Sequence, residues 1–192
     1  MKATEVLERE HRVIEQVAET CGTCAEALRK GMKIPSNVLE SIVAFMRIYG
    51  GQYHEQEEER LLSMLRAKGV PAGSCPVASL EHEKQRLSVL LDQLASAVEV
   101  YGQSGGSVSG TLIDTLLSIA ESWPDHIWKE NYLLLPMADK LFSEEDQRVL
   151  GQALQTIDSS NGEKARKTVD EFNAAIRLCS ESAALWERAS VA

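Results

Sequence analysis

Residues 112–137 read LIDTLLSIAESWPDHIWKENYLLLPM. Within this stretch Leu112, Leu116, Ile119, Trp123, His126, Glu130, Leu133 and Met137 recur at steps of four and three. That period lays them along one stripe of an α-helix. The stripe is apolar except at His126 and Glu130. An imidazole or carboxylate facing a core is costly unless it is paired or holds a metal. Near the start of the chain, Leu7, His11, Ile14, Ala18, Cys21, Ala25 and Leu28 repeat the pattern, and His11 is its polar exception. Two amphipathic helices with polar groups on their inward faces therefore set the problem.

Outward from these stripes, the chain reads as helix almost throughout. Ala, Leu, Glu, Arg, Lys and Gln dominate, and β-branched runs are absent. Gly, Pro and Ser cluster at 31–35, 69–76, 103–110 and 159–162, which reads as loops. They separate helical segments at about 3–30, 36–68, 76–102 and 109–141, followed by pieces at about 144–158 and 163–178 and a short tail. Ser36 and Ser143 are expected N-caps, and Pro76 suits a first helical turn. Long segments with short connections predict an all-α fold, an antiparallel up-down-up-down four-helix bundle. The expected division is residues 1–142 as the bundle and 143–192 as a helical extension packed on the same domain. Pro124 and Pro136 should kink or locally end the fourth segment.

Composition narrows the function. The 192 residues carry 20 Lys+Arg against 29 Asp+Glu, a formal charge of −9. That balance argues against nucleic acid as a partner, because phosphate contacts need clustered cations. No segment reaches the ~20 apolar residues of a bilayer span. The first residues run directly into charge, without the apolar run of a secretory signal. Cytoplasmic location is the expectation. Four cysteines are too few for a disulfide scaffold.

The four histidines can be placed one by one. His54 and Glu58 are one turn apart on a face that continues through Leu61 and Leu65. His126 and Glu130 have the same spacing. His82 lies within about a quarter turn of Val89, Leu90 and Ala97, which puts it on or beside the inward face. All four are expected to point inward, one per helix. Imidazole with carboxylate is a ligand set for Fe, Zn, Mn or Co, and bundle cores are where di-iron carboxylate sites are built. A lone core histidine is usually just hydrogen-bonded. Four, two of them with matched carboxylates, point to metal.

On these residues the chain resembles the hemerythrin-like (HHE cation-binding) family, in a four-histidine variant. Glu10-His11-Arg12, His54 with Glu58, Glu81-His82-Glu83 and His126 with Glu130 follow that family's pattern. The text from His126 to Asp139 and the turn Ser143 to Gln147 are also similar. The resemblance covers about residues 3–158. It implies a non-haem di-iron centre with an oxo or hydroxo bridge, and Mn or Zn as possible substitutes. By analogy His11 and His54 bind one iron, His82 and His126 the other, and Glu58 and Glu130 bridge them. Open positions would take O2, peroxide or NO. The O2-carrying members have five histidines, so one nitrogen ligand is missing here. Glu55 is a candidate replacement, since it lies ~60° from Glu58 around the helix, and Glu81 is the runner-up. Tyr53, Glu81 and Arg86 are placed around the ligands in support.

Other features carry less. Cys21-Gly-Thr-Cys24 lacks the strand that a thioredoxin-like motif follows, and Cys21 reads as a small core residue. Trp123 and Trp128 read as packing. The Glu57–Glu59 run reads partly as a solvated face. No dedicated catalytic motif stands beyond the metal site. The functional expectation is a di-iron protein that binds or reacts with O2, peroxide or NO. The alternatives are a metal- or oxygen-responsive regulatory module, and a bundle whose core histidines are merely hydrogen-bonded. The sequence points to no particular protein partner.

Overall fold

The computed structural model describes the backbone of residues 2–189 and the side chains of residues 2–179. Among these residues no strand occurs. The helices are α1 (Thr4–Arg29), α2 (Ser36–Phe45), α3 (Glu55–Ala67), α4 (Val77–Gln103), α5 (Gly110–Lys129), α6 (Leu135–Leu141), α7 (Glu144–Ile157) and α8 (Glu163–Ala189). Three π-helical stretches join them end to end: Met46–His54 between α2 and α3, Glu130–Leu134 between α5 and α6, and Asp158–Gly162 between α7 and α8. The described chain is therefore built from five rods, and four of them form the bundle.

Cross-rod pairs fix the directions. Lys2 reaches Asp139, Gly22 faces Ala120, Arg47 reaches Asp92 and Lys84 reaches Glu58. Residues early in one rod meet residues late in its neighbour, so these rods run antiparallel. α1 packs along α5, α5 along α4, α4 against α2, and the first π stretch against α1. The fold is the expected all-α antiparallel bundle with further C-terminal helices. α7 lies on α3 and α8 on α2. The Ala3 amide donates to Gln147 Oε1 at 3.0 Å, while Gln147 and Thr4 both donate to Asp139. Phe172 of α8 sits with its ring centroid 6.0 Å from Phe45.

Local chemistry explains the ends. Ser143 caps α7: its hydroxyl accepts from the Asp146 amide, and Asp146 reaches back to the Ser143 amide. Ser36 does not cap; Pro35 holds that position, and Ser109 caps α5 instead by accepting from the Leu112 amide. The stretch 159–162 is a π turn rather than a loop, and the last helix extends past 178. Pro124 is accommodated inside α5. Pro136 sits in the first turn of α6, directly after a π stretch. Without an N–H, Pro136 cannot bond the Tyr132 carbonyl, so the regular ladder is interrupted there.

The π stretches change the register. A π turn closes i→i+5 bonds and so takes an extra residue. After Glu130 the buried residues are Leu134, Leu135 and Ala138, while Leu133 is exposed. The expected stripe through Leu133 and Met137 is thus corrected by one position. In the second rod, Met46, Gly50, His54, Glu58 and Leu62 all face inward. Four such steps would sweep ~160° around an undistorted α-helix; the π stretch takes up the drift.

The core is divided. One apolar cluster includes Ile14, Ala18, Phe45, Leu91 and Ile119. The other includes Leu7, Leu61, Leu65, Leu80 and Leu134. Between them, on every rod of the bundle, lies a polar layer.

Candidate metal centre

Each rod supplies that layer from positions interleaved with its apolar stripe. α1 offers Glu10 and His11, the second rod His54, Glu57 and Glu58, α4 Lys84, and the fourth rod His126 and Glu130. His11, His54, Glu57, Glu58, His126 and Glu130 are each less than a twentieth exposed. His54 ends the first π stretch and Glu130 begins the second, so both are aimed from distorted turns, a common setting for functional residues.

Glu130 is the hub. Its Oε2 lies 2.7 Å from His11 Nε2 and 3.5 Å from His54 Nε2. Its Oε1 lies 3.0 Å from His126 Nε2, close enough for an ion pair but without hydrogen-bond geometry, so that oxygen has no hydrogen-bond partner. Glu58 Oε1 is likewise buried and unpartnered. Two groups of ligand atoms result, each within 4.8 Å of one another: His11, His54 and Glu130; and Glu58, His126 and Glu130. Glu130 belongs to both.

The far ring nitrogens are held from outside. His11 Nδ1 meets Asn131 Oδ1 at 2.5 Å, His54 Nδ1 meets Glu10 Oε2 at 3.0 Å, and His126 Nδ1 meets Glu83 Oε2 at 3.2 Å. Each partner is an acceptor, so each Nδ1 carries a hydrogen, and each Nε2 faces the centre, where it holds a proton against Glu130 or, once that proton is displaced, turns a lone pair to a cation. This support is typical of metal-bound imidazoles. It also brings the Nε2 atoms of His11 and His54 within 3.2 Å of each other, a crowding that a shared proton or a cation relieves. Unpartnered carboxylate oxygens, converging Nε2 atoms and a nitrogen-oxygen donor set together fit a transition-metal ion.

The electrostatics agree with a site charged for cations. Burial opposes ionisation of His54, but hydrogen bonds to Glu10 and Glu130 outweigh it and raise its pKa to about 10. Burial likewise works against Glu130, yet His11, His126 and His54 hold it well below the usual carboxylate range. Burial and the neighbouring Glu130 push Glu58 up to about 7, against the pull of Lys84. Protons occupy the interactions that a cation can replace.

A model of the hemerythrin HHE cation-binding domain matches residues 2–138. The chain belongs to the hemerythrin HHE cation-binding domain family. Comparison with curated proteins found no match, and comparison with solved structures found none. Membership makes this a cation-binding helical domain, and the converging His and Glu groups are its candidate ligands. No helix among the described residues is long and apolar enough to cross a membrane.

Within this hemerythrin domain the expected residues divide. His11, His54, Glu58, His126 and Glu130 come together. His82 does not: it is exposed, in a surface groove with Arg86 and Glu121. The inward stripe of α4 is Leu80, Lys84, Leu87, Leu91 and Leu94, and a two-residue offset turns His82 ~200° from Leu80. Val89, used to place His82 inward, is itself exposed. Three histidines meet at the centre rather than four. Glu55 is exposed at the mouth of a cavity beside the site. Glu81 pairs with Arg66, and Arg86 is exposed. Tyr53 is buried, and its hydroxyl donates to Asp158 Oδ1 at 3.4 Å.

Some participants were passed over. Glu57 is buried, not solvated, and with Glu10 and His54 forms a third ligand-like group. Burial and the Glu10 carboxylate push its pKa up. Glu83 holds His126 and also pairs with Lys129. Lys84 takes the inward position on α4, its Nζ 2.8 Å from Glu58 Oε2. For Lys84 the signal was available in the four-and-three spacing of the α4 leucines, which runs through it. Trp123 is buried, with its ring 6.2 Å from that of His126. Trp128 is half-exposed and packs on Tyr132 at the surface.

Proposed function

We propose that the polar layer holds two metal ions, iron in the native protein, and that the chain is a non-haem di-iron protein binding or reacting with O2, peroxide or NO. One observation carries the reading: two triads of ligand atoms share a single carboxylate, Glu130. His11 and His54 would serve one ion, His126 and Glu58 the other, with Glu130 between them. Once bound, iron supplies one-electron redox chemistry and a place for a small exogenous ligand. The chain's own residues do the rest. Asn131, Glu10 and Glu83 fix the ring tautomers. The two apolar clusters keep bulk water from both ends of the layer. With three imidazoles and at least two carboxylates, the donor set is harder than a five-histidine one, which favours ferric over ferrous iron. Oxidative or sensing chemistry then suits it better than reversible carriage.

The test is metal analysis with optical spectroscopy on protein loaded anaerobically with Fe2+. Two irons per chain, with visible absorption that develops in air and changes with azide or NO, are expected. An iron-free chain after loading overturns the proposal. A regulatory reading has one observation in its favour. The layer separates the two apolar clusters, so occupancy couples directly to stability. Iron uptake without any response to O2, peroxide or NO would favour that reading.

A further inference from the structure

Beside the layer lies a cavity of about 380 Å3. A water molecule takes roughly 30 Å3 of liquid, so a diatomic ligand needs only a small part of this space. The volume falls in the range of sites for organic molecules, roughly 300–1,000 Å3. Its walls are of two kinds. Leu87, Leu91 and Trp123 line it with apolar surface, together with Gly50 and Gly51. His126, Glu58 and Lys84 form the wall towards the centre.

Lys84 is the unusual member. It stands on the inward stripe of α4, with a side chain only 17% exposed. Its counter-ion is Glu58, itself a proposed metal ligand. A cation held at the unpartnered Oε1 of Glu58 offsets that carboxylate's charge, so the ammonium on Oε2 is left under-compensated in a poorly solvated place. The other charges in the cavity wall do not replace it. Arg47 is tied to Asp92 at 2.6 Å, at the rim, and Glu55 is exposed at the mouth.

We propose that this cavity binds a small organic carboxylate, its charge held by Lys84 and its apolar body packed on Leu87, Leu91 and Trp123. The inference rests on the metal reading, because a cation on Glu58 is what leaves the Lys84 charge under-compensated.

Benzoate and its neutral analogue benzamide are suitable probes. Each is titrated into the full-length chain, loaded with Fe2+ and metal-free, by calorimetry and by tryptophan fluorescence. Metal content is measured on the same samples. Benzoate should bind the loaded chain at least tenfold more tightly than benzamide. In samples matched for metal content, Lys84→Met should abolish that preference, and Lys84→Arg should keep most of it. In the metal-free chain, Glu58→Gln should tighten benzoate several-fold, and adding Lys84→Met should cancel the gain. Equal binding of the two probes to the loaded chain overturns the proposal, as does a preference that survives Lys84→Met. A chain that takes up no iron defeats the metal reading alone. The Glu58→Gln comparison then decides the cavity: tightening that depends on Lys84 upholds it, and no tightening overturns it.

Discussion

Glu130 faces three imidazoles with two oxygens, and no other side chain in the layer touches both triads. Removing it should therefore cost more than removing any one histidine. Glu130→Ala is expected to lower bound iron from two per chain to one or none by metal analysis, while His82→Ala leaves the content unchanged. The contrast is sharp because both residues belong to motifs that resemble the family. His126 and Glu130 were legible because their spacing places both on a stripe that is otherwise apolar. His82 reads as inward only against Val89, Leu90 and Ala97, whereas the buried stripe of α4 runs through Leu80, Leu87 and Leu91, with Lys84 partly buried between them. Glu57 was misread for a related reason. In a run of three glutamates, composition reads as solvent-facing, but the π stretch turns two adjacent columns inward. Cys21 and Cys24 test the same scale. Burial pushes Cys21 far up and Cys24 up to about 11. At pH 8 only about a thousandth of Cys24 is thiolate. A thiol reagent should leave both unmodified in the native chain and modify both after unfolding; rapid native labelling would revive a redox role.

Helices and their order could be read from period and punctuation, since each bundle rod buries a stripe, the first three end near Gly, and the fourth ends just before the Ser143 cap. The π stretches could not, because nothing in composition distinguishes i→i+5 from i→i+4 closure over a few residues. Only Pro136 left a mark. Gly50 shows what the first stretch accommodates. A Cβ there would lie 2.8 Å from Trp123 Cη2, and the indole is buried. Gly50→Ala gains up to about 1 kcal/mol of helix propensity against overpacking of about 1–3 kcal/mol. Urea denaturation should show a net loss. Trp123 emission should shift, because the ring must move from its place beside His126. At the start of α7, Ser143→Ala removes a reciprocal cap and should cost about 1 kcal/mol by the same measurement.

For the molecule as a whole, the layer is a liability without metal. Its unpartnered oxygens and crowded imidazoles carry a cost that bound ions offset. A ligand present at a thousand times its dissociation constant stabilises by about 4 kcal/mol. For a chain of this length that corresponds to roughly 8–16 °C in Tm. Chelation should lower the melting temperature by about that amount, and equal melting with and without metal would count against the site. The C-terminal rod adds its own support, since α8 packs on α2, and α7 is tied by Gln147 to Ala3 and Asp139.

The split core has a further consequence for cooperativity. Leu7, Leu61, Leu80 and Leu134 pack at one end, and Ile14, Phe45, Leu91 and Ile119 at the other. Every bundle rod passes from one cluster to the other through the polar layer. Without ions the layer is a weak seam, and each end can open on its own. Native-state hydrogen exchange should then resolve two tiers of amide protection along α1 and α4, with the step near His11 and Lys84. Ions held from α1, the second rod and the fourth rod across the seam would merge those tiers into one, so that the chain opens as a single unit.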